Sequence, residues 1–529
     1  MSPAVISITI VAYFIILFTI SYIAGRKADN EGFFVGNRKS AWYIVAFAMI
    51  GSTISGVTFV SVPGMVQASS FSYLQMVLGF IVGQIIIAFV LVPLFYRMNL
   101  VSIYEYLENR FGSSSYKTGA WFFFISKMLG AAVRLFLVCL TLQLLIFEPF
   151  HLPFLLNVIL TVFIVRLFLV CLTLQFLIFD PFHLPFLLNV ILTVFIVWLY
   201  TFRGGVKSLI WTDVLKTFCL VVSVVLCIYY IASSLHLNFS GLVSTISDSD
   251  FSKTFFFDDV NDKRYFFKQF LAGVFTVIAM NGLDQDMMQR NLSCKNFRDS
   301  QKNMITSGIS QFFVILLFLM LGVLLYTFTA QQGIGNPKKS DELFPMIATG
   351  NYFPGIVGIL FIIGLIASAY SAAGSALTAL TTSFTVDILH AQKKGEAALS
   401  QIRKHVHIGM AVVMGAVIFV FNLLNNTSVI DAIYTLASYT YGPILGLFAF
   451  GIFTKKQVYD KYIPLVAIAS PILCYILQRN SEAWLNGYQI SYELLIINAL
   501  FTFLGLCLFI KRQDKETSYT THTTKQEVK

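Results

Sequence analysis

Three serines, Ser368, Ser371 and Ser375, recur at helical spacing in "GLIASAYSAAGSALTALTTSFTVDI", so their hydroxyls share one stripe a turn apart. Hydroxyl oxygens suit a hard cation such as sodium, above all beside unwound backbone carbonyls. "GSTISG" supplies the second half of that chemistry. It interrupts the apolar run "AWYIVAFAMIGSTISGVTFVSVPGMVQ" with small and hydroxyl residues that make poor helix. Irregular backbone within a membrane is tolerated only where protein buries it or it lines a cavity, because lipid satisfies no N–H or C=O group. Read alone, the same cluster also fits a helix-packing face of small residues. Asp213, near the start of the run 211–235, is either a carboxylate facing an ion pathway or a partner for the helix dipole. In "NGLDQDMMQRNLSCKN", the residues Asp284, Gln285, Gln289 and Arg290 read as a cytoplasmic gate or as a solvated loop network. There is no HExxH or GxSxG arrangement, and the seven histidines sit mostly in loops or at span ends, so catalysis is not expected.

These groups need membrane-spanning elements to position them. The chain has 529 residues, of which 57% are hydrophobic and 12% charged, a balance that excludes an ordinary soluble domain. A span needs about 20 apolar residues. Runs that meet this lie at 4–23, 41–67, 71–95, 116–147, 154–178, 186–202, 211–235, 264–283, 306–331, 353–389, 405–423, 428–453, 462–478 and 489–511. The first has no basic flank or small-residue cleavage signal, and reads as an uncleaved span. Six of the seven cysteines lie inside apolar runs without metal-binding spacing. The net charge of +10 is spread over loops and the tail, which indicates topology signals and anionic lipid rather than nucleic acid.

One segment is anomalous. Residues Arg134–Val165 are repeated as Arg166–Val197 with differences only at Leu144/Phe176 and Glu148/Asp180. Counted with one copy, and with the N-terminus outside, the cytoplasmic connections carry about 25 basic residues against about 6 outside. An extra crossing would invert every later loop and would place Arg166 near mid-membrane, where a charge costs about 2.5–3.5 kcal/mol on insertion scales. The second copy therefore reads as a sequence or assembly error, as an inactivating in-frame duplication, or as a neutral excursion with no net crossing.

With these stretches in order, "GSTISGVTFVSVPG", "VSIYEYLENRFG", "YTFRGGVKSLIWTD", "GLDQDMMQRNLS", the serine stripe ending "FTVDI" and "YGPILGLFAFGIF", the chain resembles the sodium/solute symporter family. The resemblance implies an all-α polytopic protein with a LeuT-type five-plus-five inverted-repeat core, about 13 transmembrane helices plus the duplicated hairpin segment. It divides the chain into a first helix and cytoplasmic loop (1–40), a first repeat (41–235) holding the tandem copies 134–165 and 166–197, and an extracellular loop (236–263). A second repeat (264–453), two further helices (454–511) and a cytoplasmic tail (512–529) follow.

The resemblance also implies site residues. A sodium ion would take the backbone carbonyls of Gly51, Ile54 and Ser368 and the hydroxyl of Ser371, with Ala372 standing where relatives often have a serine. A second sodium would match Asp213, Ser371 and Ser375, with Gly374 where a further serine would help. Solute would lie near Thr53, Ser55 and Thr58, with Gln75 as a polar wall. Relatives that carry anions place an arginine nearer Gly130, so Arg134 is a candidate by position only.

The implied activity is sodium-coupled import of a small polar organic solute (a sugar, sialic acid or other organic acid) by alternating access. Sodium is cargo, the lipid bilayer and the solute are the partners, and oligomeric state stays open. The implied place is the plasma (inner) membrane, with the N-terminus outside and the C-terminus cytoplasmic. A transporter-like sensor, or a protein inactivated by the duplication, is the alternative.

Overall fold

The computed structural model describes residues 40–98, 103–142, 205–335, 340–350, 352–389 and 429–511, with isolated positions elsewhere. The expected spans at 154–178 and 186–202, and with them the second copy of the tandem segment, lie outside the described residues.

Helix α1 (Trp42–Thr53) stops because Ile54 and Ser55 turn extended, at φ −80°, ψ 95° and φ −80°, ψ 168°. Ser55 then starts α2 (Gly56–Ser69) as its N-cap, accepting a bond from the Thr58 N–H at 3.4 Å. A rod broken at "TISG" results. Helix α3 (Tyr73–Ile86) runs through a π-turn (Ile87–Leu91) into α4 (Val92–Met98), and a short α5 (Glu105–Arg110) leads into the long α6 (Ser113–Leu142).

After the undescribed stretch come α7 (Gly205–Ser234) and α8 (Phe239–Ser247). Helix α9 (Phe266–Val277) is the second broken element. It unwinds through a π-turn (Ile278–Gly282) and restarts as α10 (Gln285–Asn291), whose N-cap Asp284 accepts from the Met287 N–H at 3.2 Å. The chain continues through α11 (Phe297–Gln331), α12 (Leu343–Thr349) and α13 (Gly355–Ser383). It ends in α14 (Val429–Phe453), α15 (Ile463–Arg479), the short α16 (Ser481–Trp484) and α17 (Leu494–Cys507).

Among the described residues the β-structure is limited to isolated bridges, and five helical stretches are long and apolar enough to cross a membrane. Their outer faces are apolar: Phe89, Tyr229, Leu465, Ile468 and Tyr475 are all more than half exposed. A bilayer covers such a face without a further protein layer.

Close helix contact carries the packing inside. Helices α3 and α9 cross at Gly79 and Gly273, where a Cβ on either would overlap the other helix's backbone, at Phe270 O and Met76 O. Such small-residue crossings let dispersion between backbones replace the hydrophobic drive that lipid removes. Phe59 of α2, Phe344 of α12 and Phe361 of α13 meet with ring centroids 4.8–5.2 Å apart, which locks α2 in the bundle. Pro443 inside α14 has no N–H for the Tyr439 carbonyl, and Asn498 of α17 supplies the missing donor at 3.0 Å.

Candidate functional site

The two breaks face one cavity of about 100 Å³, closed by α3, α6, α11 and α14. The first break contributes oxygen atoms. The helical ladder ends with the Ile54 N–H bonding back to Ile50 and resumes with the Phe59 N–H bonding to Ser55, so the carbonyls from Gly51 to Ile54 have no ladder partner among the described residues. Ser368 of α13 lies directly behind: its Cβ is 3.6 Å from where a Cβ on Gly56 would sit. The Ser368 side chain is fully buried, and its hydroxyl has no hydrogen-bond partner among the described residues. A buried hydroxyl left unpaired costs about 1–3 kcal/mol, and this one stands against Gly56, two residues beyond the last open carbonyl. The side chains of Ser371 and Ser375 lie outside the described residues, although both positions fall on α13.

Thr53, Ser55 and Thr58 line the cavity. The Thr53 hydroxyl donates to the carbonyls of Met49 and Ile50, both at 3.0 Å, and the Ser55 and Thr58 hydroxyls are 3.4 Å apart. Gln75 does not line it. Its amide donates to Arg264 O at 2.8 Å and accepts from the Phe256 N–H at 3.2 Å, so it anchors the segment between α8 and α9 instead of walling the solute. Spacing alone could not reveal this, because the partner backbone is about 180 residues away in sequence.

The second break brings charge. Lys127 of α6 reaches both oxygens of Asp284 at 3.0 Å and Asp286 at 3.3 Å. Asp284 also accepts from the Tyr441 hydroxyl of α14 at 2.9 Å. Arg290 of α10 pairs with Asp286 at 3.5 Å and with Asp213 of α7 at 2.6 Å, and it donates to the Ser52 hydroxyl. Lys216 takes the other Asp213 oxygen at 3.1 Å, and Ser52 donates to Asp213 at 2.9 Å.

Asp284, Arg290, Asp213, Lys216 and Lys127 are all buried. Charges removed from water persist only when paired and hydrogen-bonded, and this cluster meets both conditions. It joins α6, α7, α10 and α14 to α1 through Ser52, near the C-terminal end of that helix. The solvated-loop reading of "GLDQDMMQR" fails, and Asp213 is no open carboxylate: each of its oxygens already holds a cation. Gln285 accepts from the Ile103 N–H at 2.8 Å, whereas the Gln289 side chain lies outside the described residues.

Lys127 went unread in the sequence, where Arg134 drew attention. The signal was there: an ionisable residue inside the apolar run 116–147 is a functional candidate by default. Arg134 has its backbone in α6, and its side chain lies outside the described residues.

Known proteins share this architecture. The chain is 25% identical over 467 residues to the sodium/sialic acid symporter NanT of Aliivibrio fischeri, covering 82% of this chain and 80% of that protein. It is 23% identical to the human sodium/iodide cotransporter and to mouse sodium-coupled monocarboxylate transporter 1, spanning 62% and 66% of their lengths. A solved structure of a Na+-coupled sialic acid symporter, substrate-bound and outward-open, superposes with a TM-score of 0.74 at 18% identity. That alignment covers 96% of this chain and 99% of the other, and the shared fold is the LeuT type. The profile of the sodium:solute symporter family matches residues 33–171 and 154–459, and the two ranges overlap inside the tandem copies. With free carbonyls and hydroxyls at one break, a neutralised ionic cluster at the other and the family pattern along most of its length, the chain belongs to the sodium:solute symporter family.

Proposed function

We propose that this protein imports a small polar organic solute together with sodium across the plasma membrane, by alternating access around the cavity between the two broken helices. The observation that carries the reading is the broken helix with open carbonyls from Gly51 to Ile54, packed at Gly56 against Ser368, whose hydroxyl has no partner among the described residues. Sodium would be held by the carbonyls of Gly51, Ile54 and Ser368 with the Ser371 hydroxyl. Solute would rest against Thr53, Ser55 and Thr58. A second sodium at Asp213, Ser371 and Ser375 would have to share Asp213 with Arg290 and Lys216, so the geometry favours the first site.

Sodium bound at the first break draws α1, α2 and α13 together, and it biases the equilibrium toward whichever cavity opening those helices then permit. Linkage requires that solute binding raise sodium affinity by the same factor. With the N-terminus outside and the C-terminus cytoplasmic, as proposed, the ionic cluster on α10 would hold the cavity closed toward the cytoplasm. The names of the relatives, carriers of sialic acid and of monocarboxylates, support an organic solute.

The test is uptake into proteoliposomes under an inward sodium gradient, using a labelled solute panel. Saturable uptake that disappears when potassium replaces sodium supports the proposal, and uptake indifferent to sodium refutes it. The near-identity of the tandem copies favours running a chain that lacks Arg166–Val197 in parallel. Transport by the shortened chain alone would mark the second copy as inactivating.

A further inference from the structure

Two buried polar atoms on the cavity wall are left over from the site as described. Ser126 of α6 and Gln311 of α11 are 5% and 6% exposed and line the cavity. Ser126 Oγ and Gln311 Oε1 have no hydrogen-bond partner among the described residues. Other unpartnered groups, such as the Gln84 amide, do not line the cavity. A buried acceptor without a donor destabilises the empty protein, so it is tolerated where a ligand completes it.

The neighbouring groups narrow what that ligand offers. The Thr53 hydroxyl proton is committed to the Met49 and Ile50 carbonyls, which leaves its oxygen as an acceptor. Ser55 Oγ accepts from the Thr58 N–H and pairs with the Thr58 hydroxyl. Lys127, the cation beside Ser126, is taken up by Asp284 and Asp286. Toward its interior this wall offers acceptor oxygens at Thr53, Ser55 and Gln311, beside Ser126 and Asn281, which can also donate.

Resting on the transport reading above, we infer that Gln311 and Ser126 are solute-contact residues. Gln311 Oε1 accepts a hydrogen bond from a hydroxyl group of the solute, with Ser126 bonding a second polar group. The solute therefore carries hydroxyl donors, which a halide and an unsubstituted short-chain carboxylate do not. Gln311 acts from α11, away from the break that holds sodium, so its effect falls on solute affinity and not on sodium affinity.

The experiment measures uptake by the full chain and by the Arg166–Val197 deletion over a panel of hexoses, sialic acid, acetate and iodide. Whichever form transports is then taken through Gln311→Met, Gln311→Glu and Ser126→Ala. Expected are uptake of a hydroxylated solute, a rise in its KM of about tenfold or more in Gln311→Met, recovery of affinity in Gln311→Glu, which restores an acceptor, and a smaller rise in Ser126→Ala. Sodium half-saturation at saturating solute stays at the wild-type value. Thermal stability of the empty Gln311→Met protein is equal to wild type or higher, because an unpartnered group has been removed. A wild-type KM in Gln311→Met overturns the inference, as does a fall in its stability with KM unchanged. Uptake restricted to acetate or iodide overturns it while leaving sodium symport intact. Absence of sodium-dependent uptake by either form overturns the transport reading and this inference with it.

Discussion

The two helix breaks solve the same problem with opposite chemistry. Both expose backbone where lipid would be intolerable. At Ile54–Ser55 the sequence supplies Gly, Ser and Thr, no formal charge, and carbonyls that remain open. At Ile278–Asp284 it supplies carboxylates, and helices α6 and α14 reach in to neutralise and bond them. An uncharged break can accept a cation and release it, because among the described residues no backbone donor competes for the carbonyls of Gly51 to Ile54. A charged break whose partners come from other helices works as a fastener. One region is built for exchange and the other for holding.

The largest effect should come from cutting the fastener. Lys127→Met leaves the buried Asp284 and the partly buried Asp286 with one cation fewer, a loss of about 3–5 kcal/mol for a broken buried pair. Thermal unfolding in detergent should show a large drop, and adding Asp284→Asn to Lys127→Met should recover part of it. No recovery in the double variant would remove charge as the cause.

Next in size is Gly51→Ala, at the end of the uncharged break. A Cβ there overlaps Thr217 Oγ1 and comes within 2.9 Å of Asp213 O, so α1 must move away from α7 at about 1–3 kcal/mol. Thr217→Ala in the same chain should relieve part of the strain, which a double-mutant cycle on unfolding measures.

Ser371→Ala and Gln75→Met then separate exchange from anchoring. The first should raise the sodium needed for half-maximal uptake several-fold with little change in stability, and unchanged sodium activation would sink the site assignment. Gln75→Met should lower stability by about 1–3 kcal/mol, because Arg264 O and the Phe256 N–H lose their partner, while leaving solute KM alone.

The smallest effect lies outside both breaks. Burial pushes the Asp262 carboxyl upward, but the hydrogen bonds and charge of Arg264 outweigh it and hold the pKa below the ordinary 3.8. A depressed carboxyl contributes stability above its unfolded value and loses it as pH falls through the folded value. Asp262→Asn should therefore cost a little stability at neutral pH and nothing at a pH well below 3.8. Melting curves at the two pH values compare them.

Much of this contrast is legible in the sequence, though unevenly. "GSTISG" announced the first break because small and hydroxyl residues are poor helix formers, and the serine stripe marked α13 by helical periodicity. Asp284 was visible as a polar residue, but its role as the cap of α10 depends on where α9 unwinds. The fastener was not legible as a unit: Lys127, Asp213, Asp284 and Tyr441 are spread over more than 300 residues of sequence, and only the packing brings them together. Gln75 misled for the same reason.

The ionic cluster has an electrical consequence. Among the described residues it holds three basic and three acidic side chains, Lys127, Lys216 and Arg290 against Asp213, Asp284 and Asp286. Displaced as one body through the membrane field, such a unit performs no net electrical work, whereas a single unbalanced charge crossing the field exchanges about 2.3 kcal/mol per 100 mV. The voltage dependence of transport then reports what is carried, the sodium and any charge on the solute, and not the hinge that carries it.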